Sequence, residues 1–370
     1  MSVDHAEPRR RSIEVEYWVT DDEGRLTDPG ELVAASPGAE REFVEPVLEI
    51  KTTPCETATE LRAELFDRIG TVLERADELE KKLVPLGTPV AADEIRELPS
   101  DRTRIQNTVV GEDFEYVRHC AGTHVHVEQQ PGREIDQLNA LVALDPALAL
   151  VNSSPYYRGH PMAAGARSKC YRWLAYDDVP HQGWLWRYVS DRGEWTRRLE
   201  RRYEEFVTVA TDAGVSRRTL ESNFDLESAV WTPVQLRSSF STVEWRSPDT
   251  ALPSQIVRLA NRLADLVGDL EDTDVRIDGR DGRVTSETIT LPEFDAVLEY
   301  VHAAIRDGLE SDAVRSYLER MGFDVDAYEP ITHELAGRGR IDPAEARGIR
   351  LEYAERLERD VRRAKPMHSD

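Results

Sequence analysis

Apolar and polar positions alternate from Ser12 to Val19 (SIEVEYWV), with Ile13, Val15 and Tyr17 on one parity and Glu14 and Glu16 on the other. Side chains two apart on a strand share a face, so the pattern predicts a half-buried strand with two carboxylates on its open side. A turn follows at Asp21-Asp22-Glu23-Gly24, and Val44 to Thr52 (VEPVLEIKT) predicts a second strand, which Pro46 places near an edge or at its own start. At Thr57 the period changes. Thr57 and Glu60 form a capping box, and Leu61, Leu65, Ile69, Val72, Ala76, Leu79 and Leu83 recur at helical spacing until Pro85 and Gly87.

Further along, Phe114 to Glu128 predicts a strand with Gly122 as a bulge, and Phe240 to Ser247 another. Helices are predicted over Glu134 to Ala143, Thr196 to Asp212 and Ile256 to Leu270, the last with an apolar face of Ile256, Leu259, Leu263 and Val267. The final helix opens with Asp342 as N-cap, Pro343 in the first turn and Glu345 behind it. Strands and helices mix without regular alternation, which predicts an α+β fold. No repeat is visible. A charged loop from Glu271 to Arg283 separates an expected catalytic domain, residues 1–270, from a mainly helical C-terminal region, 271–370, packed on it.

Composition narrows the class. With 40% hydrophobic residues and seven Trp the chain is globular, and its net charge of -24 opposes nucleic-acid phosphates. Only five of the 47 basic residues are lysines: Lys51, Lys81, Lys82, Lys169 and Lys365. Acid excess with scarce lysine suggests adaptation to a saline cytoplasm, where charges are screened within about 3 Å at 1 M salt. No apolar stretch is long enough to span a bilayer, and the opening MSVDHAEPRRRS lacks the apolar core of a signal peptide. Cys55, Cys120 and Cys170 show no metal or disulfide spacing, so they are expected as free, buried thiols in a reducing cytoplasm.

The chemistry lies on the predicted strands. Glu14 and Glu16 share a face, as do Glu45 and Glu49; Glu42 has the opposite parity and joins Glu49 only if the chain bends before Pro46. His124 and His126 follow Gly122 at strand period, and Glu244 and Arg246 repeat the spacing. Each pair alone reads as a solvated face, a core histidine or a structural ion pair. Four such segments together suit hard cations and phosphate: carboxylates take Mg²⁺, and a neighbouring guanidinium steadies a phosphoryl group in transfer. There is no GxxxxGK[ST] loop and no protein-kinase signature.

In order, IEVEYWV, VLEIKTTPCET, GTHVHVEQ, NSSPYYRGHPMAAGARSKCYRW and STVEWRSPDT resemble the signature segments of the type 2 glutamate–cysteine ligase (carboxylate–amine ligase) family, over about Ser12 to Val267. The resemblance implies a curved antiparallel sheet of glutamine-synthetase type with flanking helices, holding ATP and two or three Mg²⁺ or Mn²⁺ ions. It implies that ATP phosphorylates the γ-carboxylate of glutamate and that an amine then displaces phosphate. Carried over, Glu14, Glu16, Glu42, Glu49, His124 and Glu244 would be metal ligands, and Glu244 and Arg246 the catalytic pair. Arg167 and Arg172 would hold the substrate carboxylate, and Arg237 and His126 would meet the nucleotide. Small molecules (glutamate, cysteine, ATP) would be the only partners; oligomeric state is left open.

Two segments depart from bacterial relatives: Ala-Arg-Ser-Lys-Cys-Tyr-Arg-Trp and Glu-Trp-Arg-Ser-Pro-Asp, both near the expected substrate pocket. They bear on the acceptor. Archaeal family members from saline habitats make γ-glutamylcysteine, so cysteine is the expected amine. The alternatives are another amine or carboxylate, a guanidino-type phosphotransferase, and a non-catalytic metal-binding protein.

Overall fold

A computed structural model describes residues 9–364 apart from 93, 177, 178, 180 and 272. Residues 1–8 of the opening MSVDHAEPRRRS and Lys365 lie outside the described residues.

The strands run β1 (Arg11–Asp21), β2 (Ala39–Arg41), β3 (Val47–Lys51), β4 (Lys81–Val84), β5 (Thr123–Glu128), a short hairpin of β6 (Tyr156–Tyr157) and β7 (His160–Pro161), β8 (Val234–Arg237) and β9 (Thr242–Trp245). All but the β6–β7 hairpin belong to one seven-stranded sheet of order β2-β3-β1-β5-β9-β8, with β4 also paired to β1. Every pairing in it is antiparallel. The expected α+β fold with an antiparallel sheet is what the chain adopts.

β1 is the hub because it is long and cleanly alternating. Ile13, Val15 and Tyr17 are fully buried, whereas Glu14 and Glu16 between them are half-buried. Helices Ala58–Glu78, Glu134–Leu144 and Pro253–Gly268 supply apolar side chains to the core that covers the first face. Thr57 caps Ala58–Glu78 reciprocally with Glu60, as the sequence predicts. Beyond Glu16 the acidic face is closed by a second apolar cluster. Trp18, Val84, Leu86 and Tyr156 pack there with Ile349 and Tyr353 of the final helix Pro343–Ala364. Asp342 caps that helix, accepting the backbone N–H groups of Ala344 and Glu345 at 2.8 and 2.9 Å. The C-terminal region thus walls one end of the acidic face.

Several predicted elements change. Leu83 is not helical: Glu80 takes a left-handed backbone (φ 53°) after Glu78, and Lys81–Val84 pairs with the far half of β1. Long-range pairing overrides the helical period there. Phe114–Arg118 is a helical turn, not strand; Phe114 and Val117 are buried three residues apart, a spacing that fits a helix face as well. The helix Asp101–Val110 and strand β8 lie in segments with no clear period. The charged segment 271–283 contributes β10 (Asp274–Ile277) and the first residue of β11 (Arg283–Val284). These form a small sheet with β12 (Thr288–Leu291), set among the helices of the last hundred residues. Cys55 and Cys170 are buried and Cys120 half-buried, all free; burial pushes the Cys55 and Cys170 thiols up to about 12.

Candidate metal and phosphate site

Strand register assembles the site. Glu14 stands opposite His124 on β5 and Lys51 on β3, Glu16 opposite Glu49, and His126 opposite Glu244 on β9. Directly opposed residues share a face, so one row of charged groups crosses four strands. Glu42 joins it from the β2–β3 connection. A turn in which the Val47 amide donates to the Val44 carbonyl bends the chain around Pro46 and removes the parity conflict. Glu45 belongs to no such group among the described residues.

Three overlapping triads result: Glu14–His126–Glu244, Glu14–Glu49–His124 and Glu16–Glu42–Glu49, each with one ligand atom per residue within 4.8 Å of the others. His124 Nδ1 lies 3.1 Å from Glu14 and 3.6 Å from Glu244, and His126 Nε2 lies 3.7 and 3.8 Å from the same two carboxylates.

The acids divide by environment. Burial pushes the Glu14 carboxyl up, but the hydrogen bond with His124 and the close imidazoles of His124 and His126 outweigh it and hold it well below the usual range. Burial opposes ionisation of Glu244 too, yet Arg246, the two histidines and Arg237 keep it low. Glu42 is pushed up to about 8, by burial first and then by Glu16. Glu49 is raised in the same way, by burial and by Glu42 and Glu14. Crowded carboxylates that suppress each other's charge are what a divalent cation relieves. His126 Nε2 and Glu244 Oε2 are buried with no hydrogen-bond partner in the protein. A donor set of carboxylates and imidazole with orphaned lone pairs fits Mg²⁺ or Mn²⁺.

Parity within β3 also places a residue that the motif pairs did not single out. Lys51 Nζ is 2.8 Å from Glu49, 3.1 Å from Glu40 and 4.0 Å from Glu14, a fixed positive charge inside the acidic row. Lys51 shares the parity of Glu49, which was the available signal.

Arginines flank the other side. Arg246 Nε forms an ion pair with Glu244 at 3.0 Å, and Arg237 Nη1 lies 3.6 Å from the same carboxylate. Arg246, Arg167, Arg172, Tyr171, Ser168, Ser247 and Pro233 line a small cleft. Arg167 is buried, yet among the described residues its guanidinium donates only to the Ser247 and Arg246 carbonyls, at 3.1 and 3.3 Å, and its Nε has no partner. A buried guanidinium hydrogen-bonded only to neutral carbonyls can still take a carboxylate.

Arg172 differs. Expected at the substrate carboxylate, it grips buried Asp145 with two hydrogen bonds, at 2.6 and 3.1 Å, and donates to Ser247 Oγ at 2.6 Å. Asp145 also accepts from Trp245 Nε1 at 2.8 Å. Arg172 therefore ties the end of β9 to the core. Asp145 carries no motif, so sequence reasoning had no way to supply this partner.

A seven-stranded antiparallel sheet with two carboxylate–imidazole triads and one all-carboxylate triad on its open face, bordered by guanidinium groups, defines a protein whose centre suits divalent cations and phosphate. The profile of glutamate-cysteine ligase family 2 matches residues 10–344, and the chain belongs to that family. It is 28% identical over 213 residues to a protein of Corynebacterium glutamicum (strain R) named "Putative glutamate--cysteine ligase 2", covering 56% of this chain and 53% of that one. A protein of the same name from Chloroflexus aggregans is 26% identical over 259 residues, 65% of this chain and 58% of its own length. The matched region thus spans little more than half the length of these relatives. Among solved structures, a bifunctional glutathione synthetase from Pasteurella multocida shares the fold, with a TM-score of 0.52 at 13% identity over 95% of this chain and 52% of that one. Among the described residues no helix is long and apolar enough to cross a membrane.

Proposed function

We propose that this chain joins the γ-carboxylate of L-glutamate to an amine, L-cysteine, at the expense of ATP, through a γ-glutamyl phosphate. The observation that carries the reading is the continuity of the three cation triads with Arg246 and with the buried Arg167, whose guanidinium hydrogen-bonds to backbone carbonyls and forms no close ion pair among the described residues. Family membership supports it.

Glu14, Glu16, Glu42, Glu49, His124 and Glu244 would hold the cations, and His126 joins them through Glu14 and Glu244. Mg²⁺ or Mn²⁺, when bound, screens the triphosphate and polarises the phosphorus under attack. Arg246, steadied by Glu244, neutralises the charge that develops as phosphate moves to the carboxylate oxygen and then leaves. Arg167 takes the α-carboxylate of glutamate, and Arg237 meets the nucleotide phosphates. Nothing here calls for a covalent enzyme intermediate. Orientation and charge neutralisation do the work.

ADP release, measured by a coupled assay with glutamate and a panel of amines, tests the reading. Magnesium-dependent ADP and free phosphate with glutamate plus cysteine is the expected result. A phosphorylated acceptor without free phosphate would establish a kinase instead. The assay is run in high KCl, because we also place the protein in a saline cytoplasm on its net charge of -24.

A further inference from the structure

At 60% exposure Phe240 is the most open large apolar side chain among the described residues. Leaving a phenyl ring in water forgoes the stabilisation of burial. The turn between β8 and β9 that carries it is nonetheless held from two sides. Ser241 has a left-handed backbone (φ 53°) and accepts the Gln129 amide at 2.8 Å, while the Gln129 side chain donates to the Thr242 carbonyl at 2.8 Å. On the other flank, the Glu227 carboxylate accepts the Ser238 N–H at 3.0 and 3.2 Å. The ring is thus displayed on a fixed support.

What it faces is specific. The Phe240 ring meets His126 edge-on, with centroids 6.0 Å apart at 75°, and the Arg237 guanidinium lies 5.7 Å from its centroid. His126 belongs to the triad with Glu14 and Glu244, and Arg237 touches Glu244. Cation site, guanidinium and open ring therefore succeed one another at one end of the charged row. The exposed neighbours Ser238, Ser239 and Ser241 are all polar, so the ring stands alone and is no part of a protein-docking patch. A flat, partly polar ring system tethered to a phosphate chain fits this arrangement, because aromatic rings stack on nucleobases and guanidinium groups add cation–π attraction.

We propose that Phe240 is the stacking platform for the adenine base of the nucleotide, with Arg237 between the base and the cation-bound phosphates. This rests on the ATP-dependent reading above and adds the base subsite to it. Direct binding, with no turnover required, tests it. Mg-ATP and magnesium tripolyphosphate are titrated calorimetrically into the wild type, Phe240→Ala and Phe240→Tyr, with near-UV circular dichroism as a check of folding. Loss of one stacked base is expected to weaken Mg-ATP about tenfold in Phe240→Ala, to leave tripolyphosphate unchanged, and to be rescued in Phe240→Tyr. Equal weakening of both ligands, or no change in either, overturns the platform while leaving the ligase reading intact. A wild type that binds neither ligand overturns that reading and the platform with it.

Discussion

Gly122 makes room for Arg167: a side chain at residue 122 would begin 2.0 Å from Arg167 Nη2. The Gly122 amide also donates to Glu16 at 2.6 Å, so one residue joins the acidic row to the arginine cleft. Gly122→Ala is therefore expected to displace the guanidinium, at a cost of about 1–3 kcal/mol from overpacking. The KM for glutamate should rise at least tenfold while Mg-ATP affinity holds. Unchanged glutamate kinetics would detach Arg167 from substrate.

Glu42 sets a pH dependence. Its carboxyl is raised from 4.5 to about 8, so the fold retains a proton that the unfolded chain gives up. That contribution to stability is complete below 4.5 and is lost as the pH rises through about 8. The metal-free protein should melt at progressively lower temperature between pH 5 and pH 8, and Mg²⁺ should reverse much of the loss. Cation binding near pH 7 should also release protons, visible as a buffer-dependent heat in calorimetry.

Lys51 is the protein's own counter-charge for Glu49 and Glu40. Lys51→Met should destabilise the metal-free protein by about 1–3 kcal/mol, the usual worth of hydrogen bonds to charged groups. Urea unfolding with and without Mg²⁺ measures it, and the gap should narrow when the cation is present.

Arg172 and Asp145 form a buried pair, so removing either partner leaves a charge stranded. Arg172→Met is expected to cost about 3–5 kcal/mol of stability, and Arg172→Met with Asp145→Leu to recover part of it. A raised KM for glutamate with an unchanged melting temperature would return Arg172 to the substrate.

Glu244 forms an ion pair with Arg246 and completes one triad. Glu244→Gln keeps its shape and removes its charge. Turnover of the folded protein should fall by at least a hundredfold, the scale of losing one preorganised electrostatic contact, and the melting temperature should fall as well because Arg246 loses its buried counter-charge.

The charged pairs were legible because each depends on one strand. Glu14 with Glu16, His124 with His126, and Glu244 with Arg246 needed only the two-residue period to share a face. The capping box at Thr57 and Asp342's cap are equally local. Where one apolar spacing served two elements, as in Phe114 to Val117 or at Leu83, the local signal was ambiguous.

By itself, then, the sequence determined which side chains face together on each strand, where the well-capped helices begin, and that carboxylate and imidazole would dominate one surface. Tertiary structure alone decided the rest. Register put Glu14 between His124 and Lys51, a turn at Pro46 brought Glu42 back to Glu49, and Arg172 was taken up by Asp145. Periodicity reports only the near neighbours of a residue. The partners that set its charge and role arrive from strands far along the chain, and only packing chooses them.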